Sequence, residues 1–323
     1  MIKLISAQIF IVTAAVLFLN LPSWSIASEP TSATLRREEL MPLVFPGWMT
    51  PTAPDSGVTS HSPTTKTSSL GAAASAIEQE LGQEFDSIAP HPSHVIRLDN
   101  DHSVLITVSD VHDANNENIC ANYAGCAVVI GAYFFGSTAE GWKLTKRVDD
   151  IAVEYTFTNA EIRKWPGHGY LLIINRQQHA QGGSRNDVGF VLLQPDQTIL
   201  SHERSIGIAG DYDGGETVYD IVDPTTHETS TGQSGCQELM RSSFIAPKGA
   251  AFDAHMADLC TQTLGKWNLE QDVIRLTYQI RHRTVGPQGE LQGIKESTVI
   301  VELGIRDGEL KVVSGTIPDI ETT

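Results

Sequence analysis

Residues 274–281 read IRLTYQIR, and the strict alternation in this stretch decides the fold class. Its apolar members are Ile274, Leu276, Tyr278 and Ile280, and every residue between them is polar or charged. A period of two predicts a β-strand with one buried face and one face in water. Residues 299–305 repeat the pattern, and Asp307-Gly308 is a hairpin signal before a third apolar stretch at 310–313. The C-terminal region is therefore predicted to form an antiparallel meander.

Two amphipathic helices are predicted before this meander. The first extends from about residue 70 to residue 88 and ends before Pro90. It is predicted from apolar residues that are spaced three or four positions apart. These are Leu70, Ala74, Ile77, Leu81, Phe85 and Ile88. The second helix is predicted from the same spacing, and Gly265 is expected to end it. The residues that suggest it are Phe252, Met256, Leu259 and Thr263. Because strand patterns fill most of the chain between the helices, the predicted fold class is α+β, mostly antiparallel β-sheet, with a C-terminal helix-plus-meander unit.

The N-terminus predicts export. Lys3 precedes an apolar stretch at residues 4–21, and Ser25-Ile26-Ala27 places small residues where a signal peptidase reads. Residues 1–27 are therefore predicted to be a signal peptide cleaved after Ala27, and the alternative is an uncleaved signal anchor. Either interpretation places the rest of the chain outside the cytoplasm, in the periplasm or secreted. After cleavage no stable membrane association is expected.

Composition divides the remainder into three regions. Residues 28–68 contain a Ser/Thr/Pro-rich stretch with few aliphatic residues, so we expect a disordered leader. Residues 69–223 are predicted to form a β-rich domain. Residues 224–323 are predicted to form the helix and the meander, either as a separate unit or as a continuation of the preceding domain.

The charge of the chain excludes one class of partner. The chain has 22 Lys and Arg residues against 39 Asp and Glu residues, which gives a formal net charge of -17. Such an acidic surface repels phosphate backbones, and no basic run offsets it locally. Nucleic acid is therefore not an expected partner.

Four cysteines follow the predicted signal peptide: Cys120, Cys126, Cys236 and Cys260. An even number in an oxidising compartment predicts two disulfides, and three connectivities are open. The local pairs Cys120–Cys126 and Cys236–Cys260 are favoured because closing a short loop costs less chain entropy.

One turn has the composition of a calcium site. Asp211 and Asp213 precede Gly214-Gly215 and Glu216, and Ca²⁺ prefers such oxygen ligands. The complete calcium-binding loop, with its glutamate at the twelfth position, is absent. Calcium is therefore the one candidate cofactor, and a solvated acidic turn is the alternative interpretation.

Another segment has the composition of a partner-binding loop. Residues 177–187 are polar and glycine-rich, and they lie between two predicted strands. Arg176, His179 and Arg185 add basic character to an acidic protein, so these three residues are candidate contacts with a protein partner.

Three hypotheses for the function follow. The first is an exported soluble binding protein, for instance an inhibitor or immunity-type protein that masks another protein. It is preferred because no nucleophile motif, zinc helix or phosphate loop is found. The second is an exported hydrolase whose acid and base are dispersed over loops, with His168, Asp211, Asp213 and Glu216 as candidates. The third is a calcium-binding surface module that uses residues 211–216.

Overall fold

Within the part of the chain that the structure describes, the fold is mostly antiparallel β, with 64% of residues in strands and two helices. The computed structural model describes residues 32–48, 64–121, 125–180, 183–202, 206–212, 216–222, 229–235, 250–252 and 261–318. The predicted signal peptide at residues 1–27 lies outside these ranges, as do Cys236, Cys260 and Asp213. No helix within the described ranges is both long and apolar enough to cross a membrane.

The first half of the chain forms a five-stranded sheet that curls into a half-barrel. The elements of this half are α1 (Arg37–Val44), β1 (Thr65–Lys66), α2 (Ala72–Leu81), β2 (Ser87–Arg97), β3 (His102–His112), β4 (Cys120–Ala121), β5 (Gly125–Cys126), β6 (Val128–Thr138) and β7 (Gly141–Glu154). The strand order across the half-barrel is β1-β2-β3-β6-β7, and all its pairs are antiparallel. β4 and β5 pair with each other, and the disulfide Cys120–Cys126 joins them with an S–S distance of 1.98 Å. The favoured pairing of these two cysteines is confirmed.

The second half forms a nine-stranded antiparallel sheet. Its strands are β8 (Phe157–Trp165), β9 (Gly169–Ala180), β10 (Gly183–Leu193), β11 (Ile199–Ser201), β12 (Ile206–Tyr212), β16 (Thr261–Leu269), β17 (Ile274–Val285), β18 (Leu291–Arg306) and β19 (Glu309–Ser314). A third, three-stranded sheet contains β13 (Glu216–Val222), β14 (Thr229–Gly235) and β15 (Ala250–Phe252). In the large sheet the order is β19-β18-β17-β16-β12-β10-β9-β8, and β11 also pairs with β10. The pairing of β12 with β16 joins strands from both sides of the predicted boundary at residue 223.

The predicted meander is confirmed. β17, β18 and β19 are consecutive antiparallel neighbours, and Ile274, Leu276 and Tyr278 are buried. Asp307 and Gly308 have φ values of 56° and 77°, the left-handed backbone that a two-residue hairpin turn requires.

Both helix predictions need revision. The first helix exists as α2, but it ends at Leu81 because Gly82 adopts a left-handed conformation with φ 68°. Phe85 is buried beyond the helix, and Ile88 lies in β2, so their helical spacing is incidental. Phe252 ends β15 and Thr263 lies in β16, so the second predicted helix is absent at both ends. Residues 253–260 of that prediction lie outside the described part of the chain.

The leader prediction differs from the structure at residues 32–48. This segment contains α1, whose Leu40, Met41 and Val44 are buried against the half-barrel together with Phe45 and Trp48. The apolar residues of this segment are sufficient to order it, because the half-barrel supplies the surface on which they pack.

Three hydrophobic cores hold these layers together. The first packs α1 and α2 onto one face of the half-barrel, around residues such as Ile77, Leu105 and Tyr133. The second lies between the half-barrel and the nine-stranded sheet and contains residues such as Phe134 and Leu172. The third lies on the opposite face of the nine-stranded sheet, where residues of β9 and β10 meet those of β17 and β18. Because β11 also contacts β19, the large sheet curves around this third core.

Candidate functional site

A cleft of about 480 Å³ opens at the edge between the two large sheets, and we call it the interlayer cleft. One wall is the exposed side of α2, the floor comes from β7, β9 and β10, and Ser201 and His202 close the far side. The floor is partly apolar, with Ile151, Ile174 and Val191. This volume lies within the range of about 300–1,000 Å³ that is typical of ligand sites.

A buried ion pair forms part of the cleft wall and joins the two sheets. Arg176 of β9 donates hydrogen bonds from Nε and Nη2 to the two carboxylate oxygens of Glu154 at the end of β7. The side chains of Arg176 and Glu154 are only 12% and 10% exposed. Burial raises the pKa of Glu154, and Arg176 opposes this shift only in part. The pair is therefore a desolvated contact in which each charge compensates for the burial of the other.

A glycine in the neighbouring strand makes room for this pair. A Cβ atom on Gly189 would lie 3.2 Å from both Nη1 and Nη2 of Arg176. A side chain at position 189 would therefore press on the guanidinium. This position explains why a glycine interrupts the apolar run of β10.

Asp150 is a second carboxylate of the cleft, and it lies in an irregular part of β7. The register between β6 and β7 shifts opposite residues 130–132, so Asp149, Asp150 and Ile151 leave the regular pairing. Burial raises the pKa of Asp150, and the nearby charge of Asp149 raises it further. Asp149 itself accepts hydrogen bonds from Arg147 and Tyr133. Irregularities of this kind often aim a side chain into a functional site.

The interlayer cleft carries more negative than positive charge. Glu80, Asp150 and Glu154 contribute three carboxylates, whereas Arg176 contributes one guanidinium that is already paired with Glu154. Such a cleft favours a compact organic cation whose apolar stem covers the floor. Among the described residues, no three His, Cys, Asp or Glu side chains converge closely enough to hold a metal ion.

The structure separates the three candidate partner-binding residues. Arg176 lies in the wall of the interlayer cleft, while His179 is paired with Ser184 near the end of the β9–β10 hairpin. Arg185 donates a hydrogen bond to the buried carboxylate of Asp187 at 2.6 Å. The predicted loop at residues 177–187 is largely strand, because β9 and β10 pair as far as Ala180 and Gly183. A role in partner binding stays a prediction for these three residues.

The candidate calcium residues are only partly placed. Asp211 lies in β12, where it pairs with Ser184 and Gln262, and Glu216 begins β13. Asp213 lies outside the described part of the chain, so the calcium site stays a prediction.

His168 does not share a site with Asp211. Its ring contacts that of Trp165 in a tilted arrangement with 4.8 Å between the ring centroids, and its Nε2 lies 3.7 Å from Asp272. His168 lies just before β9, at the end of the β9–β10 pair that contains Leu193 of β10. Asp211 is opposite Ser184, at the other end of β10. At about 3.3 Å per residue, these ends are roughly 30 Å apart. The hydrolase hypothesis therefore loses the pairing of His168 with Asp211.

Sequence reasoning missed Asp150 and Glu154. A weak signal was present, because adjacent acidic residues such as Asp149-Asp150 are unfavourable inside a strand. The sequence could not show that Glu154 meets Arg176 from the other sheet.

No family model matches the chain, and no curated protein or solved structure is similar to it. The geometry of the interlayer cleft is therefore the main support for a functional proposal.

Proposed function

We propose that this protein is an exported binding protein, of the inhibitor or immunity type, whose interlayer cleft receives a basic side chain of a partner protein. The observation that carries the proposal is the acidic cleft itself, open at the edge between the two sheets. When a partner inserts a side chain there, this protein covers the partner's surface around that side chain.

The lining of the cleft supports a basic side chain as the inserted group. Lys and Arg carry an apolar stem that can cover Ile151, Ile174 and Val191, and a charged head that can reach Asp150 or Glu80. A cation near Asp150 relieves the unfavourable environment that raises the pKa of this carboxyl.

The net charge of the chain supports the same class of partner. A protein with a formal charge of -17 attracts basic surfaces over several ångströms and repels acidic ones. Complementary charge of this kind increases association rates more than it increases affinity.

Titration with short peptides tests the chemistry of the cleft. The probe is Ac-Ala-Arg-Ala-NH2, followed by NMR chemical-shift changes, and Ac-Ala-Glu-Ala-NH2 is the matched peptide. We expect binding of the arginine peptide alone, weakened at least about fivefold by Asp150→Asn, because one charge pair contributes about 1 kcal/mol or more in a partly buried site. The control variant Glu309→Gln removes the same charge from an exposed position on β19 and should bind like the wild type. Equal binding of both peptides, or no effect of Asp150→Asn, overturns the assignment.

Capture of a protein partner tests the biological role. Ala76 lines the cleft from the exposed side of α2, so Ala76→Trp should fill the cleft without disturbing the core. Ala72→Trp is the matched control, because Ala72 is exposed on the same helix outside the cleft. A stoichiometric partner retained by Ala72→Trp and lost by Ala76→Trp supports the proposal. If both variants retain the partner, the binding site lies outside the cleft and the proposal is wrong.

A further inference from the structure

The outer face of β16–β19 carries an unusual group of side chains, and we call it the meander face. Three large hydrophobic side chains are exposed among the described residues, and all three belong to these strands. Leu264 is 46% exposed, Ile300 is 52% exposed and Val313 is 37% exposed. Single exposed aliphatic residues are normal, but their concentration on one face indicates a contact surface.

Strand register places these residues on one side of the sheet. Ile300 is opposite Thr277, and Leu264 is opposite Gln279, two residues further along β17. Since Tyr278 between them is fully buried, Thr277 and Gln279 point to the outer face. Val313 packs over Gly304, where a Cβ atom would lie 3.3 Å from its Cγ1. The three aliphatic side chains therefore share the surface that faces away from the third core.

The meander also differs in charge from the rest of the chain. Residues 261–318 contain seven Lys or Arg residues and seven Asp or Glu residues, so their formal charge is zero. The whole chain carries -17, and that charge therefore belongs to the remaining residues. Two copies of this protein repel each other wherever their acidic surfaces meet. At the meander face that repulsion is small.

Charges on the meander face are arranged so that the face can complement itself. Arg275 binds Glu302 and Glu270 at 2.8 Å, on one flank of the aliphatic group. Arg281 binds Glu296 at 3.0 Å on the other flank. Each flank thus presents both signs of charge. A two-fold contact places the same patch on both partners, so it requires this kind of self-complementarity.

The size of the meander face is adequate for a dimer. Four strands about 4.8 Å apart and roughly 11 residues long cover about 700 Å². A stable interface buries about 800 Å² per partner. The face is thus close to the required area, and its mixture of apolar and charged groups is typical of interfaces that form from folded monomers.

We propose that the meander face is the interface of a symmetric dimer in which a second copy of this chain covers Leu264, Ile300 and Val313. The interface shares no residue with the interlayer cleft, so it is independent of the proposed binding function. Each copy in the dimer keeps its own cleft.

Sedimentation equilibrium of the purified protein tests this proposal. We expect a reversible dimer in the micromolar range for the wild type. Ile300→Lys should weaken dimerisation at least about tenfold, because it buries a charge without a partner. Ile300→Thr keeps the β-branched shape that suits a strand, and it should weaken the dimer less strongly than Ile300→Lys does. This variant still tests the interface if Ile300→Lys fails to fold. Ser75→Lys adds the same charge at an exposed position on α2 and should not change the dimer.

Three outcomes overturn the proposal. The first is a wild-type protein that stays monomeric at several hundred micromolar. The second is a dimer that Ile300→Lys does not weaken although circular dichroism shows a folded variant. The third is a dimer that Ser75→Lys weakens equally, because that result would show that the effect of Ile300→Lys is not specific to the meander face.

Discussion

At the scale of single residues, the pair of Glu154 and Arg176 combines two roles. It forms a wall of the interlayer cleft, and it connects β7 of the half-barrel to β9 of the nine-stranded sheet. Because both side chains are almost fully buried, neither charge has much access to water outside the pair. Removing one member therefore costs more than the pair itself contributes.

Glu154→Gln tests this dependence. The variant leaves the Arg176 guanidinium buried beside a neutral group, so we expect the free energy of unfolding to fall by about 3–5 kcal/mol. Urea denaturation followed by circular dichroism measures the change. The double variant Glu154→Leu/Arg176→Met removes both charges and should recover most of the loss. A loss below about 1 kcal/mol in the single variant would show that the charge is hydrated rather than buried.

Asp150 leads to a prediction about pH. Burial and then the charge of Asp149 raise its pKa in the folded protein above the ordinary value of 3.8 for an Asp side chain. The folded state therefore holds the proton more tightly, and stability falls as the pH rises from 3.8 through the folded pKa. Asp150→Asn avoids this loss, so its thermal midpoint should exceed that of the wild type at pH 7. The difference should disappear near pH 3, where the wild-type carboxyl is neutral, and a difference of the same size at both pH values would contradict the titration.

At the scale of elements, α1 shows how a short helix becomes ordered by distant residues. Its Val44 carbonyl accepts a hydrogen bond at 3.0 Å from Nη1 of Arg147 in β7. The Trp48 indole donates a hydrogen bond at 3.3 Å to the carbonyl of Pro90 in β2. The same Arg147 guanidinium lies over the rings of Phe45 and Tyr133. The segment 32–48 is thus a structural part of the half-barrel.

Leu40→Ala measures the contribution of α1. Leu40 is fully buried in the first core, so we expect its truncation to lower the free energy of unfolding by about 2–5 kcal/mol. Pro42 is exposed on the same helix, and Pro42→Ala should cause no loss, since it removes only a residue that disfavours helix. Urea denaturation of both variants checks the prediction. Equal stability of Leu40→Ala and the wild type would mean that α1 does not stabilise the fold.

The elements also show what the sequence could and could not predict. The meander was predictable because the alternation at residues 274–281 depends only on neighbouring residues and the period of a strand. The disulfide Cys120–Cys126 was favoured for a similarly local reason. α1 was missed because its order depends on contacts with residues about 100 positions away, such as Arg147. The interlayer cleft was missed for the same reason, since α2, β7 and β9–β11 meet there only after the two sheets have packed.

At the scale of the whole molecule, the charge of -17 acts against the compact state. Carboxylates on one surface repel each other, and salt screens this repulsion over a Debye length of about 10 Å at 0.1 M. We therefore expect the thermal midpoint to rise by about 2–4 °C between 10 mM and 300 mM NaCl at pH 7.5, if about 1 kcal/mol of repulsion is screened. The rise should be smaller at pH 4.5, where part of the carboxylates are protonated. A midpoint that falls with salt at pH 7.5 would show that attractive ion pairs outweigh the repulsion.

The contact between α1 and β7 has a consequence for the biosynthesis of the chain. The Val44 carbonyl is made 103 residues before Arg147, its hydrogen-bond donor. At about 5–20 residues per second, synthesis of that interval takes roughly 5–20 seconds. During this time Leu40, Met41 and Val44 have no half-barrel to pack against. The newly made N-terminal segment therefore exposes these apolar side chains until β7 emerges, and the finished fold buries them.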